Sequence, residues 1–151
     1  MEYPINNEQD SELEKFTIAQ ERDYATALNE IKSGRKQSHW MWYIFPQIQG
    51  LGFSSTAKYY AIRDLQQAAD YLAHPVLGPR LTAISKKLLT HTELSAKEIF
   101  GSPDDLKLRS CMSLFAFIKN APPVFQQVLD QFFEGESDSK TQQILNLKAF
   151  D

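Results

Sequence analysis

The segment from Ser102 to Lys119 is the feature that most constrains the fold. Pro103 fits the first position of a helix, where an N–H is not needed, and Ser102 before it is suited to cap that helix. Two aspartates follow in the first turn, where the helix dipole favours negative charge. A helix that is apolar on almost every side is normally buried, so the segment predicts a central helix near 103–119. Its main apolar stripe consists of Leu108, Cys111, Met112, Phe115 and Ile118.

Helix signals recur along the rest of the chain. A capping box at 11–14 predicts the start of a long amphipathic helix, and Gly34 predicts its end, because glycine tolerates the left-handed conformation after a last turn. A second capping box begins at Ser95. No two segments show the convincing alternation of paired strands. Residues 11–151 are therefore predicted to form an all-α, compact single-domain bundle of about six to eight helices, preceded by a flexible tail over residues 1–10.

The composition is that of an ordinary globular protein. Of the 151 residues, 42% are hydrophobic and 12% aromatic, which excludes a disordered chain. The formal net charge is −3 and the basic residues are scattered, so nucleic-acid binding is disfavoured. With a single cysteine and no Cys/His spacing typical of zinc, we predict no disulfide, no metal and no cofactor. The sequence has neither a long apolar run nor a signal peptide, so we expect a cytoplasmic protein that does not enter a membrane.

Both tryptophans lie in one dense aromatic segment, 38–47. The proline near its end must stop the preceding element, and the lack of a partner strand favours a short buried helix. Two interpretations stay open, a tightly packed core element and the wall of a ligand pocket. In the second, His39 exchanges protons near neutral pH and Gln47 hydrogen-bonds a ligand from a loop. Trp40 or Trp42 stacks on a flat ligand, and at least one of them belongs to the core, because neighbouring helical positions point to different sides.

Charged residues cluster where the central helix begins. Asp104 shares a face with Leu108, which places its carboxylate at the edge of a buried surface, where it could act as a base or contact a ligand. Lys107 and Arg109 flank that face and are suited to receive an anion. In the alternative interpretation these groups form surface ion pairs that only support the helix.

Three sequence units carry a resemblance to a known family. They read SHWMWYIFPQ from Ser38, HPVLGPRL from His74 and FGSPDDLKLRSCMSLF from Phe100. In order and spacing they resemble the domain of unknown function family 1810, and the likeness runs from about Leu13 to about Phe133. The resemblance implies a helical fold and no particular activity. Some members carry the label calpastatin, but that inhibitor is disordered and poor in aromatics, so the label does not fit this chain.

A fainter similarity connects the chain with the NADAR (YbiA-like) group, helical proteins that act on ADP-ribose-type nucleotides. It rests on the early tryptophan segment and on a late run through Arg109, Met112 and Phe115. The group implies a nucleotide-like ligand for this chain.

Two hypotheses for function follow. The first is a small-molecule binding domain, or an enzyme, for an anionic aromatic ligand such as a nucleotide or an ADP-ribose derivative. Its candidate catalytic groups are His39 and Asp104, and its candidate binding groups are Trp40, Trp42, Gln47, Lys107 and Arg109. The alternative is a non-catalytic protein-interaction module that presents an apolar patch to a partner. The sequence identifies no particular protein partner.

Overall fold

The computed structural model describes residues 7–149, and these residues form helices joined by short loops. The described part contains nine helices and no β-strand, so the predicted all-α class is confirmed, with one helix more than the upper end of the expected number. An isolated parallel bridge pairs Ile48 with Ile62. The helices are α1 (Asn7–Lys32), α2 (Met41–Ile44), α3 (Ser55–Tyr60), α4 (Leu65–Ala73), α5 (Leu77–Leu89), α6 (Ala96–Phe100), α7 (Asp104–Ala116), α8 (Val124–Phe133) and α9 (Ser139–Ala149).

Helix α7 lies at the centre of the bundle and packs against α4, α6, α8 and α9. The Phe115 ring links two of these neighbours, because its centroid lies 5.5 Å from that of Tyr71 and 5.7 Å from that of Phe125. The predicted central helix is therefore confirmed, although it ends at Ala116. Its fully buried side chains are Leu108, Cys111, Met112, Leu114 and Phe115.

The start of α7 differs from the prediction in its cap. Pro103 occupies the N-cap position, and the Ser102 hydroxyl donates to Asp105 Oδ1 at 3.1 Å and caps no backbone N–H. The first-turn amides have other acceptors. The Asp105 N–H donates to the Gly101 carbonyl at 3.0 Å, and the Leu106 N–H donates to the Pro103 carbonyl and to Asp105 Oδ1. Because these amides are already bonded, a serine cap is not required.

Helix α1 begins at Asn7, four residues before the predicted start at Ser11. Polar residues have only moderately lower helix propensity than alanine, so the local capping pattern did not decide where the helix begins. Residues 1–6 of the predicted tail lie outside the described residues. The predicted end is confirmed, since α1 stops at Lys32 and Gly34 adopts φ 79°. The capping box at Ser95 is also confirmed: its hydroxyl accepts from the Glu98 N–H and the Glu98 carboxylate accepts from the Ser95 N–H.

The aromatic segment 38–47 forms the predicted short helix, α2, and one acidic side chain of α1 anchors it. Glu30 accepts hydrogen bonds from the backbone N–H groups of Gln37 and Ser38, from the Ser38 hydroxyl and from Trp40 Nε1. Partial burial of the carboxyl opposes ionisation, but these four donors outweigh it and lower the pKa of Glu30 to about 2. An ionised Glu30 therefore fixes the chain that enters α2.

Within residues 7–149, no helix combines the length and the apolar character needed to cross a membrane.

Candidate functional site

A cavity of about 320 Å³ lies between the first two turns of α7 and the start of α9. The loop after α2 closes its third side. We call this space the Trp42 cavity, and its lining residues are Trp42, Gln47, Leu51, Gly52, Pro103, Leu106, Lys107, Ser110, Asp138 and Lys140.

Gln47 contributes a buried side-chain N–H donor that has no hydrogen-bond partner. Its backbone is held in place, because its carbonyl accepts from the Ile62 N–H at 2.8 Å and the Gln49 N–H donates to the Ile62 carbonyl at 2.8 Å. The residue is only 9% exposed, and its Nε2 makes no hydrogen bond. A buried polar group without a partner is unfavourable by about 1–3 kcal/mol. An oxygen acceptor that reached Nε2 would remove that penalty.

Trp42 and Lys107 form the central contact of the cavity. Lys107 Nζ lies 4.2 Å from the centroid of the half-buried Trp42 ring, within cation–π distance. The loop passes close to the far edge of the indole at Gly52. A Cβ there would lie 2.5 Å from the Ala57 Cβ and 3.6 Å from Trp42 Cη2. Glycine is therefore required by the close approach of the loop to Ala57 on α3, and at the same position the loop is in van der Waals contact with the tryptophan.

Asp104 lies behind Lys107 and pairs with two lysines. Its Oδ1 accepts from Lys107 Nζ at 3.0 Å, and its Oδ2 lies 2.9 Å from Lys36 Nζ. Burial opposes ionisation of the carboxyl, but the hydrogen bonds and charges of the two lysines hold the pKa of Asp104 below its usual range. The group is thus an ionised anchor for Lys107, and a carboxylate held in this way is a weak proton acceptor at neutral pH.

Three of the sequence-predicted residues meet in the cavity lining: Trp42, Gln47 and Lys107. Asp104 is one contact behind them, through Lys107. Helix α2 thus supplies the Trp42 ring and the loop after it supplies the Gln47 side chain, while the first turn of α7 supplies Lys107.

The other three predicted residues are elsewhere. Trp40 is 1% exposed, packs against Phe45 and Phe100 in the core, and donates its indole N–H to Glu30. His39 is exposed and does not line the cavity; its carbonyl accepts from the Tyr43 hydroxyl at 3.3 Å.

Arg109 turns toward the loop before α9. Its Nε donates to the Glu136 carbonyl at 2.9 Å, and its Nη2 lies 3.4 Å from the Glu136 carboxylate. It does not line the Trp42 cavity. Arg109 thus supports the chain that leads into α9, and through it the opposite wall of the cavity.

Sequence reasoning missed the polar lining residues Ser110, Asp138 and Lys140, and it missed Lys36, which lies behind the cavity wall. Lys36 belongs to a short basic pair that is visible in the sequence, but nothing there indicates a partner on α7. Ser110 donates its hydroxyl to the Leu106 carbonyl at 3.1 Å, and its oxygen can still accept a hydrogen bond. Lys140 lies in the first turn of α9, beside Asp138, whose carboxylate accepts from the Thr141 N–H and hydroxyl.

The fold and the cavity together define a small all-α protein with a lysine-bearing cavity. The chain belongs to the DUF1810 family, described as a protein of unknown function, whose family model matches residues 10–145. A similar solved structure is the crystal structure of the conserved hypothetical protein Rv1873 from Mycobacterium tuberculosis. It is 42% identical over 89% of this chain and 96% of that chain, with a TM-score of 0.87. No curated protein matches the chain. The resemblance to this family is confirmed, and the similarity to the NADAR group stays a prediction.

Proposed function

We propose that this protein binds a small anionic ligand that carries a planar group, such as a nucleotide or an ADP-ribose derivative, in the Trp42 cavity. The observation that carries the proposal is the buried, unpartnered Nε2 of Gln47, a residue that lines the cavity together with Lys107. The amide needs an oxygen acceptor, and an ammonium group favours one that is negatively charged.

The charges around the cavity support an anion. Lys107 and Lys140 line it, and Asp138 is the acidic residue among the lining residues. The Asp138 carboxylate accepts two hydrogen bonds from Thr141 at the start of α9, and the two lysines outnumber it, so the formal charge of the lining residues is +1. The two lysines can therefore bind phosphate or carboxylate oxygens from opposite walls.

Apolar surface next to these charges supports a planar group. The Trp42 ring lies in the cavity, and Leu106 lines it from an exposed position on α7. Phe53 is 80% exposed, and its ring centroid lies 5.9 Å from Lys140 Nζ. A base or similar ring bound here would cover apolar surface that otherwise faces water.

The proposal is for binding, because the candidate proton acceptors do not suit catalysis in this cavity. Asp104 is ionised and shared by two lysines, and His39 is not among the lining residues. The alternative interaction module would present a broad apolar face. Of the large exposed hydrophobic residues among those described, two lie at the cavity or beside a residue that lines it, Leu106 and Phe53. The others lie on α1, on α3 and just before α5: Ile18, Tyr59 and Val76.

A thermal-shift and calorimetric titration with AMP, ADP-ribose, adenosine and inorganic phosphate tests the proposal. A probe at 100 times its Kd stabilises the native state by about 2.7 kcal/mol, which raises Tm by roughly 5–10 °C for a chain of this size. We expect AMP or ADP-ribose to raise Tm and neutral adenosine to have a much smaller effect.

Lys107→Gln should remove most of that shift, because it deletes one of the two positive charges among the lining residues. Lys86→Gln is the matched control, since Lys86 is an exposed lysine of α5 outside the cavity. The proposal is wrong if none of the anionic probes binds, or if both variants bind as tightly as the wild type.

A further inference from the structure

Lys36 lies behind the cavity wall and does not line the cavity itself. Its side chain is only 7% exposed. Its Nζ lies 2.9 Å from Asp104 Oδ2, donates to the Ser38 carbonyl at 2.6 Å, and is 4.9 Å from the centroid of the Trp40 ring. An ammonium group with these partners is held in one place between α7 and the chain that enters α2.

Two ammonium groups share one carboxylate at this position. Lys36 and Lys107 bind opposite oxygens of Asp104, so the three side chains together carry a net charge of +1. If Asp104 were paired with Lys107 alone, the two charges would cancel, and the wall would attract an anion only weakly. The charge of Lys36 prevents that cancellation.

We infer that Lys36 is a positioning residue for anion binding: by balancing the charge of Asp104, it lets this carboxylate hold Lys107 against Trp42 without neutralising the cavity wall. The inference rests on the proposed function, because the role it assigns is to support an anionic ligand. An ammonium group has three N–H donors, so Lys107 can bind Asp104 and still donate to a ligand.

The two tryptophans provide a direct measurement of this charge. Trp40 is buried in the core and Trp42 borders the cavity, so a quencher in solution acts mainly on Trp42. Iodide is an anionic quencher and acrylamide is a neutral one. The ratio of their quenching constants at low ionic strength therefore reports the attraction of an anion to the cavity wall, without any assumption about the natural ligand.

Four proteins give a series of charges at the wall. The net charge of the three side chains is 0 in Lys36→Met, +1 in the wild type, +1 in the double variant Lys36→Met/Asp104→Asn, and +2 in Asp104→Asn. We expect the iodide-to-acrylamide ratio to fall about two- to threefold in Lys36→Met, the effect of one unit charge several ångströms away in water. It should return to the wild-type value in the double variant and exceed that value in Asp104→Asn. Lys32→Met, an exposed lysine at the end of α1, should leave the ratio unchanged.

A purely structural role of Lys36 would give a different order, because the double variant would then resemble Lys36→Met. That result, or an unchanged ratio in Lys36→Met, overturns the inference. Circular dichroism shows whether each variant folds. If a single variant does not fold, the iodide-to-acrylamide ratios of the wild type and the double variant are compared, because the two proteins have equal charge at the wall. Equal ratios support the inference, and a lower ratio in the double variant overturns it. The AMP affinity should fall in Lys36→Met together with the quenching ratio. Failure of every anionic probe to bind the wild type would instead contradict the proposed function, while the iodide series still decides the role of Lys36.

Discussion

Lys107 Nζ lies 4.2 Å from the centroid of the Trp42 ring, so the first turn of α7 touches α2 at the cavity. The neighbouring Trp40 has a different environment, since it is buried and donates to Glu30. The two tryptophans, separated by one residue, therefore have different roles: Trp42 belongs to the proposed site and Trp40 belongs to the core.

Substitution of each tryptophan by phenylalanine separates these roles. Trp40→Phe leaves part of a buried space empty and deletes a hydrogen bond to a charged acceptor, so we expect a loss of about 2–3 kcal/mol in the free energy of unfolding. Trp42→Phe loses about 1 kcal/mol or less, because the ring is half-buried and phenylalanine keeps a weaker cation–π contact. Urea unfolding measures both values. Equal losses in the two variants would contradict the division between core and cavity.

Asp104→Asn should destabilise the protein far more than the loss of a first-turn helix charge, which is worth about 0.3–1 kcal/mol. The reason is that Lys36 would remain a buried ammonium group without its carboxylate, and breaking such a pair typically destabilises by about 3–5 kcal/mol. Because Asp104 is 19% exposed, we expect a value near the lower end, about 3 kcal/mol.

The double variant Lys36→Met/Asp104→Asn should recover part of that stability, since it removes both buried charges together. Urea unfolding of the two single variants and the double variant gives the coupling free energy between the residues. Strict additivity of the two single effects would show that the ion pair contributes nothing.

Glu30→Gln should destabilise the protein by about 2 kcal/mol at pH 7, because four hydrogen bonds to the entry of α2 lose their charged acceptor. The folded state lowers the pKa of Glu30 to about 2 from an ordinary value of 4.5. The stabilisation is therefore fully present above pH ~4.5 and is lost as the pH falls toward 2.

The difference between the wild type and Glu30→Gln should consequently shrink between pH 4.5 and pH 2. Urea unfolding at several pH values in this range tests the sign. A difference that grows as the pH falls would refute an ionised Glu30 as the anchor of this segment.

Gln47→Leu should stabilise the ligand-free protein or leave its stability unchanged, while it weakens binding of the anionic probes at least about tenfold. Leucine is similar in size and lacks the buried side-chain N–H that has no partner. Removing this group should raise the free energy of unfolding by up to about 1 kcal/mol once the change in packing is included. The loss of binding corresponds to one hydrogen bond to a charged ligand. Thermal denaturation and calorimetric titration of the same samples measure the two effects. A marked drop in Tm would mean that the amide has a structural partner.

The sequence by itself determined the helical class, the central position of α7 and the end of α1. These properties depend on short-range chemistry: the apolar periodicity from Leu108 to Phe115 and the left-handed conformation at Gly34 follow from neighbours within a few turns. The start of α7 was less well determined, because several local acceptors compete for the same first-turn amides.

Only the tertiary structure decided which of the candidate site residues meet. Trp40 and Trp42 are chemically equivalent in the sequence, and the packing of α2 on α1 decides which of them is buried. Lys36 and Asp104 are far apart in the chain, and no periodicity relates the end of α1 to the start of α7. Their ion pair exists because the helices between them bring the two residues back to the same place in the fold. The net charge of +1 on Lys36, Asp104 and Lys107 follows from that long-range contact.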